Sequence, residues 1–295
     1  MLTIFTTCKP FRGHFTVIQE NAIASWTKLK PKPEIILIGD DFGTDEIAKK
    51  YHSKHIRDVK KNSKGTPILS DIFDKARRVS KNKTLCYVNA DIVLPPDFSR
   101  IVTRVPFRKF LITGQRWNLT IGKKLDFKKG WFEEFKTQAE KKGKLDQPGA
   151  LDYFIFPKNV DFKTPPFAVG RGVWDNWLIY KAKLFKIPVI DATETMTVIH
   201  QNHDYSHAGG YRAVWHGQER EQNLRLAHEK RRPFNLVNAD YKLAQNGLSR
   251  PDFSLFRLWR NFQVSPVIKP KLAVILWPPV LTIELLIKVY RKLVK

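Results

Sequence analysis

The fold of this chain is decided by the stretch Leu85-Cys86-Tyr87-Val88-Asn89-Ala90-Asp91-Ile92-Val93-Leu94-Pro95-Pro96-Asp97. Its apolar part is typical of a buried strand, and the run ends abruptly at the carboxylate of Asp91. Two further apolar runs, 2–7 and 34–39, also open into polar turns. In open α/β sheets, ligands bind outside the carboxyl ends of the strands. Three such ends, two of them acidic, predict a nucleotide and metal site.

The first hundred residues alternate short apolar runs with helical patterns. Strands are predicted over 2–7, 34–39, 55–59 and 84–89, and helices between them over 16–29, 44–51 and 67–79. This alternation is typical of a parallel sheet that is covered by helices. Two later runs, 110–114 and 153–157, are interpreted as further strands.

The chain carries a formal net charge of +24 over 295 residues, spread along the sequence rather than concentrated in one arm. A broad positive field implies anionic partners, and nucleotide diphosphates, anionic lipid surfaces and nucleic acid all satisfy that requirement. With only two cysteines, Cys8 and Cys86, a disulfide framework is excluded and a cytosolic protein is favoured. The first apolar run lacks the features of a signal peptide, so we expect a cytoplasmic location.

The composition changes after residue 248, and a second apolar run covers 272–287. Pro278, Pro279 and Glu284 interrupt this run, which is shorter than the roughly 20 residues that a spanning helix needs. We therefore predict a basic amphipathic tail that lies on an anionic membrane surface. Its headgroup contacts would be Lys288, Arg291, Lys292 and Lys295. The alternatives are ordinary helices packed on the main domain and a hairpin turned at the two prolines.

Two motifs resemble the nucleotide-sugar glycosyltransferases of the GT-A fold, in particular the inverting family two. In that family a strand ends in an acidic pair and leads to a Pro-Asp step, which is similar to Val88-Asn89-Ala90-Asp91-Ile92-Val93-Leu94-Pro95-Pro96-Asp97-Phe98. The family's Asp-Asp-Gly-Ser-Thr-Asp turn resembles Gly39-Asp40-Asp41-Phe42-Gly43-Thr44-Asp45-Glu46. The order and spacing of the motifs make the resemblance more specific than either alone. It covers residues 1–100 well and 150–207 more loosely.

The resemblance implies an α/β fold of the GT-A type, which is Rossmann-like with a mostly parallel central sheet flanked by helices. It also implies a glycosyltransferase that moves a sugar from a nucleoside-diphosphate sugar, expected to be a UDP-sugar, to a hydroxyl acceptor with inversion. A domain over 1–248 would hold the nucleotide in its first half, 1–100, and the acceptor in its second half, 101–248. The tail over 249–295 would bring it to a lipid-linked or polysaccharide acceptor.

A divalent metal ion, Mg²⁺ or Mn²⁺, is implied at Asp91, where it would neutralise charge on the diphosphate as the glycosidic bond breaks. The sequence departs from the family at Asn89, because the usual residue there is Asp and an amide brings no charge. A histidine-rich segment resembles the family's further metal contact, with His200 and His203 as the first candidates. The spacing of these two with His207 also fits a zinc site, which stays open as an alternative.

The base and ribose would be held, by the same resemblance, at the ends of the first strands and in a glycine-containing loop. The residues implied are Thr6, Lys9, Asp40, Asp41, Gly65 and Asn89. A glycine in such a loop permits close approach of the backbone to a ligand. Asp and Thr are also common in turns, so turn chemistry is the alternative at their positions.

A second chemical cluster follows a glycine-rich turn and contains Asp175. This residue resembles the general base of the inverting enzymes, which accepts the proton of the acceptor hydroxyl as that oxygen attacks the anomeric carbon. Trp174, Asn176 and Trp177 would contact the acceptor, with a sugar ring stacked on the indoles. The alternatives are a helix N-cap role for Asp175 and core positions for the tryptophans.

Two other classes of protein remain candidates. A nucleotidyltransferase would use the same strand-end acids but needs a glycine-rich phosphate loop near the N-terminus, for which Phe11-Arg12-Gly13-His14 is a poor substitute. A non-catalytic nucleic-acid-binding protein would explain the charge but not the acids at strand ends. We therefore expect a nucleotide-sugar donor and an anionic membrane surface as partners, and no nucleic acid.

Overall fold

The computed structural model describes residues 1–204, 206, 209–227 and 234–293 of the chain. Its strands are β1 (Leu2–Thr6), β2 (Glu34–Ile38), β3 (Lys54–Ile56), β4 (Thr84–Val88), β5 (Ile92–Val93), β6 (Leu111–Thr113), β7 (Arg116–Leu119), β8 (Lys144–Leu145), β9 (Tyr153–Pro157), β10 (Val189–Asp191), β11 (Val198–Gln201), β12 (Tyr241–Ala244) and β13 (Gly247–Ser249). Its α-helices are α1 (His14–Thr27), α2 (Thr44–Lys50), α3 (Leu69–Val79), α4 (Trp131–Lys142), α5 (Trp174–Leu184), α6 (Tyr211–His216), α7 (Gln218–Ala227), α8 (Leu255–Ile268) and α9 (Ala273–Leu293). Short 3₁₀ helices occupy Phe98–Arg104, Leu236–Asn238 and Pro270–Leu272.

The central feature of the fold is a nine-stranded sheet in the order β13-β12-β10-β6-β9-β4-β1-β2-β3. β1 pairs in parallel with β2 and β4, whereas β9 runs antiparallel to β4 and β6. The strand order switches direction between β1 and β4, since β2 and β3 lie on one side of β1 and β4 lies on the other. Such a switch opens a crevice outside the carboxyl ends of the strands. The loops that follow β1, β2 and β4 therefore meet at one edge.

A smaller four-stranded sheet, in the order β5-β11-β7-β8, begins at this edge. β5 starts directly after Asp91 and pairs antiparallel with β11, so that Ile92 lies opposite His200. β11 also pairs in parallel with β7. This register brings His200 next to the end of β4, although the two segments are far apart in sequence.

Apolar side chains fill both faces of the large sheet. One face packs on α1, where the indole Nε1 of the buried Trp26 donates to the Ile92 carbonyl at 2.9 Å. The other face packs on α3 and α5 and contains an aromatic cluster in which Phe5 contacts Phe73 and Tyr87 edge to face. Because both faces are buried, these strands are continuous apolar runs in the sequence rather than alternating patterns.

The predicted fold class is confirmed: the described residues form a mostly parallel central sheet flanked by helices, followed by a C-terminal pair of helices. The four strands predicted in the first hundred residues correspond to β1–β4, and the runs 110–114 and 153–157 correspond to β6 and β9. The sequence prediction contains no counterpart of β5, β7 and β8. These strands are two to four residues long, too short for a recognisable period.

Helix α8 is attached to the main domain. Asn238 Nδ2 donates to Asn261 Oδ1 at 3.0 Å, Arg257 donates to the Ala239 carbonyl, and Val264 is buried in the core. The first part of the predicted tail is therefore packed on the domain, as one of the alternatives proposed. The division of the chain at residue 248 stays a prediction.

Helix α9 packs along α8, and Gln263 Nε2 donates to Glu284 Oε1 at 2.7 Å. Pro278 and Pro279 lie inside this continuous helix, so the alternative in which they turn a hairpin is wrong. The chain turns instead at the 3₁₀ helix before α9. The expectation that this run is too short to span a membrane is not confirmed, because α9 has 21 residues. By length and composition alone, the window Pro270–Ile287 could cross a membrane, with a mean hydropathy of 1.6 and only 6% of it buried.

Candidate functional site

A cleft of about 1180 Å³ opens at the carboxyl edge of the large sheet. Its walls are formed by the loops after β1, β2 and β4, by the segment 146–152 and by the start of α5, with further residues from α6 and α7. Most of the sequence-predicted site residues line this one cleft, namely Lys9, Asp41, Gly65, Asn89, Asp91, Trp174, Asp175, Asn176, His200 and His203. Thr6, Asp40 and Trp177 do not line it.

Three predicted metal ligands converge in the cleft. One ligand atom from each of Asp91, His200 and His203 lies within 4.8 Å of the other two. Oδ2 of Asp91 is 3.1 Å from Nε2 of His203. Oδ1 of Asp91 and Nδ1 of His200 are buried and have no hydrogen-bond partner among the described residues. His207, the third histidine of the alternative zinc set, lies outside the described residues.

The protonation of this cluster favours metal binding. Burial would raise the pKa of Asp91, but the charge of Lys9 and the two imidazoles outweigh it and hold that pKa well below its usual range. Burial, assisted by the Arg116 guanidinium, lowers the pKa of His200 to about 4. His203 Nδ1 lies 2.5 Å from the Asp204 carbonyl, which can only accept, so Nδ1 carries a proton; in the neutral ring the lone pair is then on Nε2.

The donor set fits a divalent transition metal. It offers one carboxylate and two imidazoles, and two buried ligand atoms have no hydrogen-bond partner in the described part of the chain. Imidazole ligands suit transition metals such as Zn²⁺, whereas Mg²⁺ prefers oxygen ligands. Asn89 contributes no charge, so the site is less suited to Mg²⁺ than a pair of carboxylates would be.

Asn89 belongs to a polar network at the base of the cleft that sequence reasoning missed. Its Nδ2 donates to Oδ1 of Asp152 at 2.5 Å, and the other oxygen of Asp152 is ion-paired with Arg116. Arg116 also pairs with Asp146 at 3.2 Å. Arg116, Asp146 and Asp152 are distant from Asn89 in the sequence, and only the fold brings them together, so no local sequence pattern predicts these contacts. Because its amide hydrogens are directed to Asp152, Asn89 retains a carbonyl oxygen as an acceptor.

Asp175 lies in the first turn of α5 and lines the cleft. Burial, with a contribution from the charge of Asp152, raises its pKa to about 6. The N-cap position belongs to Val173 rather than Asp175, so the N-cap alternative is wrong. Val173 adopts a φ of 77°, a strained conformation for a β-branched residue. Strain of this kind is concentrated at functional sites.

The strand-end residues divide into those inside the cleft and those outside it. Asp41 lines the cleft, and burial raises the pKa of its carboxyl. Asp40 points away and pairs with Lys61 at 2.5 Å. Thr6 is fully buried in the sheet, whereas the next residue, Thr7, lines the cleft with an Oγ1 that has no hydrogen-bond partner among the described residues. Thr7 and not Thr6 is therefore placed to contact a ligand.

The predicted acceptor residues are only partly in reach of a ligand. Trp177 is buried against Phe167 in the core, away from the cleft. Trp174 borders the cleft but is also buried, with its ring packed edge to face on Tyr87. Asn176 lines the cleft and donates weakly to the Gly149 carbonyl at 3.4 Å. The indoles therefore present no free stacking face of the predicted kind.

Helix α7 holds two loops of the cleft in place. Glu219 accepts hydrogen bonds from Asn62 Nδ2 at 2.6 Å and from Arg171 Nε at 2.7 Å. Asn223 exchanges two hydrogen bonds with the backbone of Ala168, at 2.9 and 3.0 Å. These contacts tie the Gly65 loop and the segment leading to Asp175 to one helix.

No family model and no curated protein sequence matches this chain. Among solved structures it is similar to a mannosyltransferase from Pyrobaculum calidifontis in complex with GDP-Man and Mn²⁺, at 11% identity and a TM-score of 0.48 over 78% of this chain and 63% of that one. It is also similar to S. aureus TarS, at 11% identity and a TM-score of 0.49 over 88% of this chain and 43% of that one. The third is glucosyl-3-phosphoglycerate synthase from Mycobacterium tuberculosis in complex with Mn²⁺, UDP and phosphoglyceric acid, at 12% identity and a TM-score of 0.45 over 86% of this chain and 88% of that one.

These neighbours are nucleotide-sugar glycosyltransferases of the GT-A type, the family that the two sequence motifs resemble. The chain spans less than two thirds of the mannosyltransferase and less than half of TarS. Similarity at this level assigns no substrate, metal or residue role to this chain.

Proposed function

We propose that this protein is a glycosyltransferase that moves a sugar from a nucleoside-diphosphate sugar, expected to be a UDP-sugar, to a hydroxyl acceptor with inversion. The observation that carries the proposal is the convergence of Asp91, His200 and His203 at the switch point of the sheet. Two of their buried ligand atoms have no hydrogen-bond partner among the residues that the structure describes. Asp175, an acid with a raised pKa, lines the same cleft.

In the proposed reaction, the nucleoside lies at the ends of β1 and β2. Asp41 accepts hydrogen bonds from the base, and Thr7 Oγ1 and the Asn89 carbonyl oxygen are available to the nucleoside. Asp91, His200 and His203 would hold Mn²⁺ or Mg²⁺, with Mn²⁺ favoured by the imidazoles. The ion supplies positive charge that stabilises the departing diphosphate.

Asp175 is the proposed base on the acceptor side. A carboxylate with a pKa of about 6 is ionised at neutral pH and is a better proton acceptor than an ordinary aspartate. It would take the proton from the acceptor hydroxyl as the oxygen attacks the anomeric carbon. Arg116 and Asp152 lie close enough to influence its pKa in opposite directions, so they would position the base electrostatically.

We further propose that the protein lies at the cytoplasmic face of a membrane, attached through α9. Large apolar side chains on this helix are exposed, including Val274, Ile275, Leu285 and Leu286. Lys269 and Lys271 are exposed at the turn between α8 and α9, where they would meet anionic headgroups. The side chains of Lys288, Arg291 and Lys292, and Lys295 itself, lie outside the described part of the chain.

The test is thermal unfolding with UDP, GDP, CDP or dTDP, each with Mn²⁺ or with EDTA. A nucleotide that binds the folded state raises the unfolding temperature. We expect one nucleotide to do so only with Mn²⁺, and we expect Asp91→Ala to abolish the effect. Asp74→Ala, which removes an exposed carboxylate on α3, is the control and should respond like the wild type. Absence of any response, together with steeply salt-dependent binding of RNA or DNA, would favour a nucleic-acid-binding protein instead.

A further inference from the structure

The ammonium of Lys9 contacts two of the three residues that would hold the proposed metal ion. Lys9 Nζ lies 3.1 Å from Asp91 Oδ2 and 3.0 Å from His203 Nε2. These two electron-pair donors are themselves 3.1 Å apart, although neither can donate a proton to the other when Nδ1 carries the His203 proton. The ammonium bridges them and offsets the repulsion between their lone pairs.

The position of Lys9 is fixed through its backbone rather than through its side chain. Lys9 N donates to Gln19 Oε1 at 2.7 Å, and Gln19 Nε2 donates back to the Lys9 carbonyl at 2.9 Å. The side chain crosses the ring of Phe15 and remains 26% exposed to the cleft. The ammonium can therefore leave the cluster by rotation of the side chain alone, without movement of β1 or α1.

The ammonium and a metal ion exclude each other from this position. A transition metal lies roughly 2.0–2.2 Å from its nitrogen and oxygen ligands. Nδ1 of His203 faces the Asp204 carbonyl, so an ion that binds this ring must use Nε2, the atom that lies 3.0 Å from the Lys9 ammonium. The two cations would also repel each other strongly at short range in a buried site. Metal entry therefore requires that Lys9 move into the cleft.

We propose that Lys9 is an exchangeable internal cation: it holds Asp91 and His203 together in the absence of metal, and it binds the diphosphate of the donor once the metal has displaced it. This inference rests on the proposed function, because it takes the metal and the diphosphate from it. Its consequence is that metal and nucleotide favour each other's binding. The displaced ammonium loses two partners, and the diphosphate restores a partner of opposite charge.

The test is the affinity for Mn²⁺ alone, measured from the electron paramagnetic resonance signal of the free ion, for wild type and Lys9→Met. Removal of the competing ammonium should tighten Mn²⁺ binding about tenfold, and UDP should then improve Mn²⁺ binding about tenfold less than it does in the wild type. Lys61→Met is the matched control, since it breaks a lysine–aspartate pair outside the cleft, with Asp40, and should leave both values unchanged.

Equal or weaker Mn²⁺ binding by Lys9→Met would overturn the role of Lys9 while leaving the metal site and the proposed function intact. Failure of all three proteins to bind Mn²⁺ would overturn the metal site itself, and this inference with it. Lys9→Gln, which keeps a hydrogen-bond donor without the charge, gives the same comparison in case the methionine variant does not fold.

Discussion

The side-chain amide of Asn89 donates to the carboxylate of Asp152 at 2.5 Å, and Asp152 is at the same time ion-paired with Arg116. Position 89 is the place where the sequence departs from the family that it resembles. The contact gives this departure a physical reason, because Asp152 needs a donor at that point. A carboxylate at position 89 would face another carboxylate.

Asn89→Asp should therefore impair the site rather than restore a second metal ligand. A carboxylate at position 89 would lie within hydrogen-bonding distance of the buried Asp152 and repel it, so we expect a loss of about 2–3 kcal/mol in the free energy of unfolding at pH 8. We also expect weaker nucleotide binding. Both quantities can be measured by chemical denaturation and by titration with the nucleotide identified in the thermal-unfolding test.

The double variant Asn89→Asp with Asp152→Asn is the control for this prediction. It exchanges donor and acceptor and keeps the net charge, but it also removes the carboxylate that pairs with Arg116. The double variant should therefore lose less stability than the two single variants together if the contact between positions 89 and 152 is the cause. A double variant as unstable as the sum of the two single variants would contradict this account.

Asp41 and Asp40 provide a matched pair for the nucleotide site. Asp41 lines the cleft, whereas Asp40 pairs with Lys61 outside it. Asp41→Asn should weaken nucleotide binding about tenfold, the effect of losing one hydrogen bond to a charged group. Asp40→Asn should leave binding unchanged. Isothermal titration measures the nucleotide affinity of both variants, and equal affinities would contradict a role for Asp41 in nucleotide binding.

The raised pKa of Asp175 predicts opposite effects on activity and stability. As a base it must be ionised, so kcat/KM should fall tenfold per pH unit below about pH 6. Its folded-state pKa lies above the ordinary value of 3.8, so the stabilising protonated form is lost as the pH rises through about 6. Asp175→Asn should therefore abolish transfer yet increase stability at pH 8, by up to about 3 kcal/mol.

Denaturation of wild type and Asp175→Asn at several pH values tests the stability half of this prediction. The difference between the two proteins should shrink as the pH falls from 8 towards 5. Asp74→Asn, at an exposed position on α3, should show no such dependence. A variant that is less stable than the wild type at pH 8 would refute the assigned pKa.

The sequence predicts those site residues that directly follow a buried strand. Asp91 and Asp41 follow buried strands whose carboxyl ends meet at one edge, so a general property of α/β sheets places them in the cleft. The prediction for Thr6 is wrong by one residue. Successive residues of a strand point to opposite sides, and Thr7 is the residue that faces the cleft.

Other parts of the site depend on contacts that a single sequence does not contain. Arg116 and Asp152 are paired through the fold, and each is an unremarkable polar residue in its own segment. His200 reaches Asp91 through the pairing of β5 with β11, and β5 has only two residues. Trp177 is of a residue type that can stack on a sugar ring, but it is buried in the core. Packing, and not residue type, decides where an indole lies.

The two imidazoles of the cluster predict a preference among metals. His200 is neutral because its pKa is lowered to about 4, and Nε2 of His203 lies 3.1 Å from Asp91 Oδ2. Mn²⁺ should therefore support nucleotide binding at lower concentration than Mg²⁺. His200→Ala should weaken Mn²⁺ binding at least about 10-fold. His55→Ala, which removes an imidazole bound to the Gly39 carbonyl, should not, and equal losses in the two variants would exclude His200 as a ligand.

The exposed face of α9 predicts membrane binding that depends on specific side chains. Val274, Ile275, Leu285 and Leu286 are between 62% and 86% exposed, so their replacement by serine should leave the fold intact. Each apolar side chain that enters a bilayer contributes roughly 1–2 kcal/mol, and the fourfold variant should bind vesicles containing anionic lipid at least about 100-fold more weakly. Sedimentation with such vesicles measures this, and Phe42→Ser, at a 61% exposed position near β2, is the control.

Because Glu284 is hydrogen-bonded to Gln263 on α8, the outer face of α9 can enter the headgroup region without immersing that carboxylate. Unchanged sedimentation of the fourfold variant would show that this face serves another purpose.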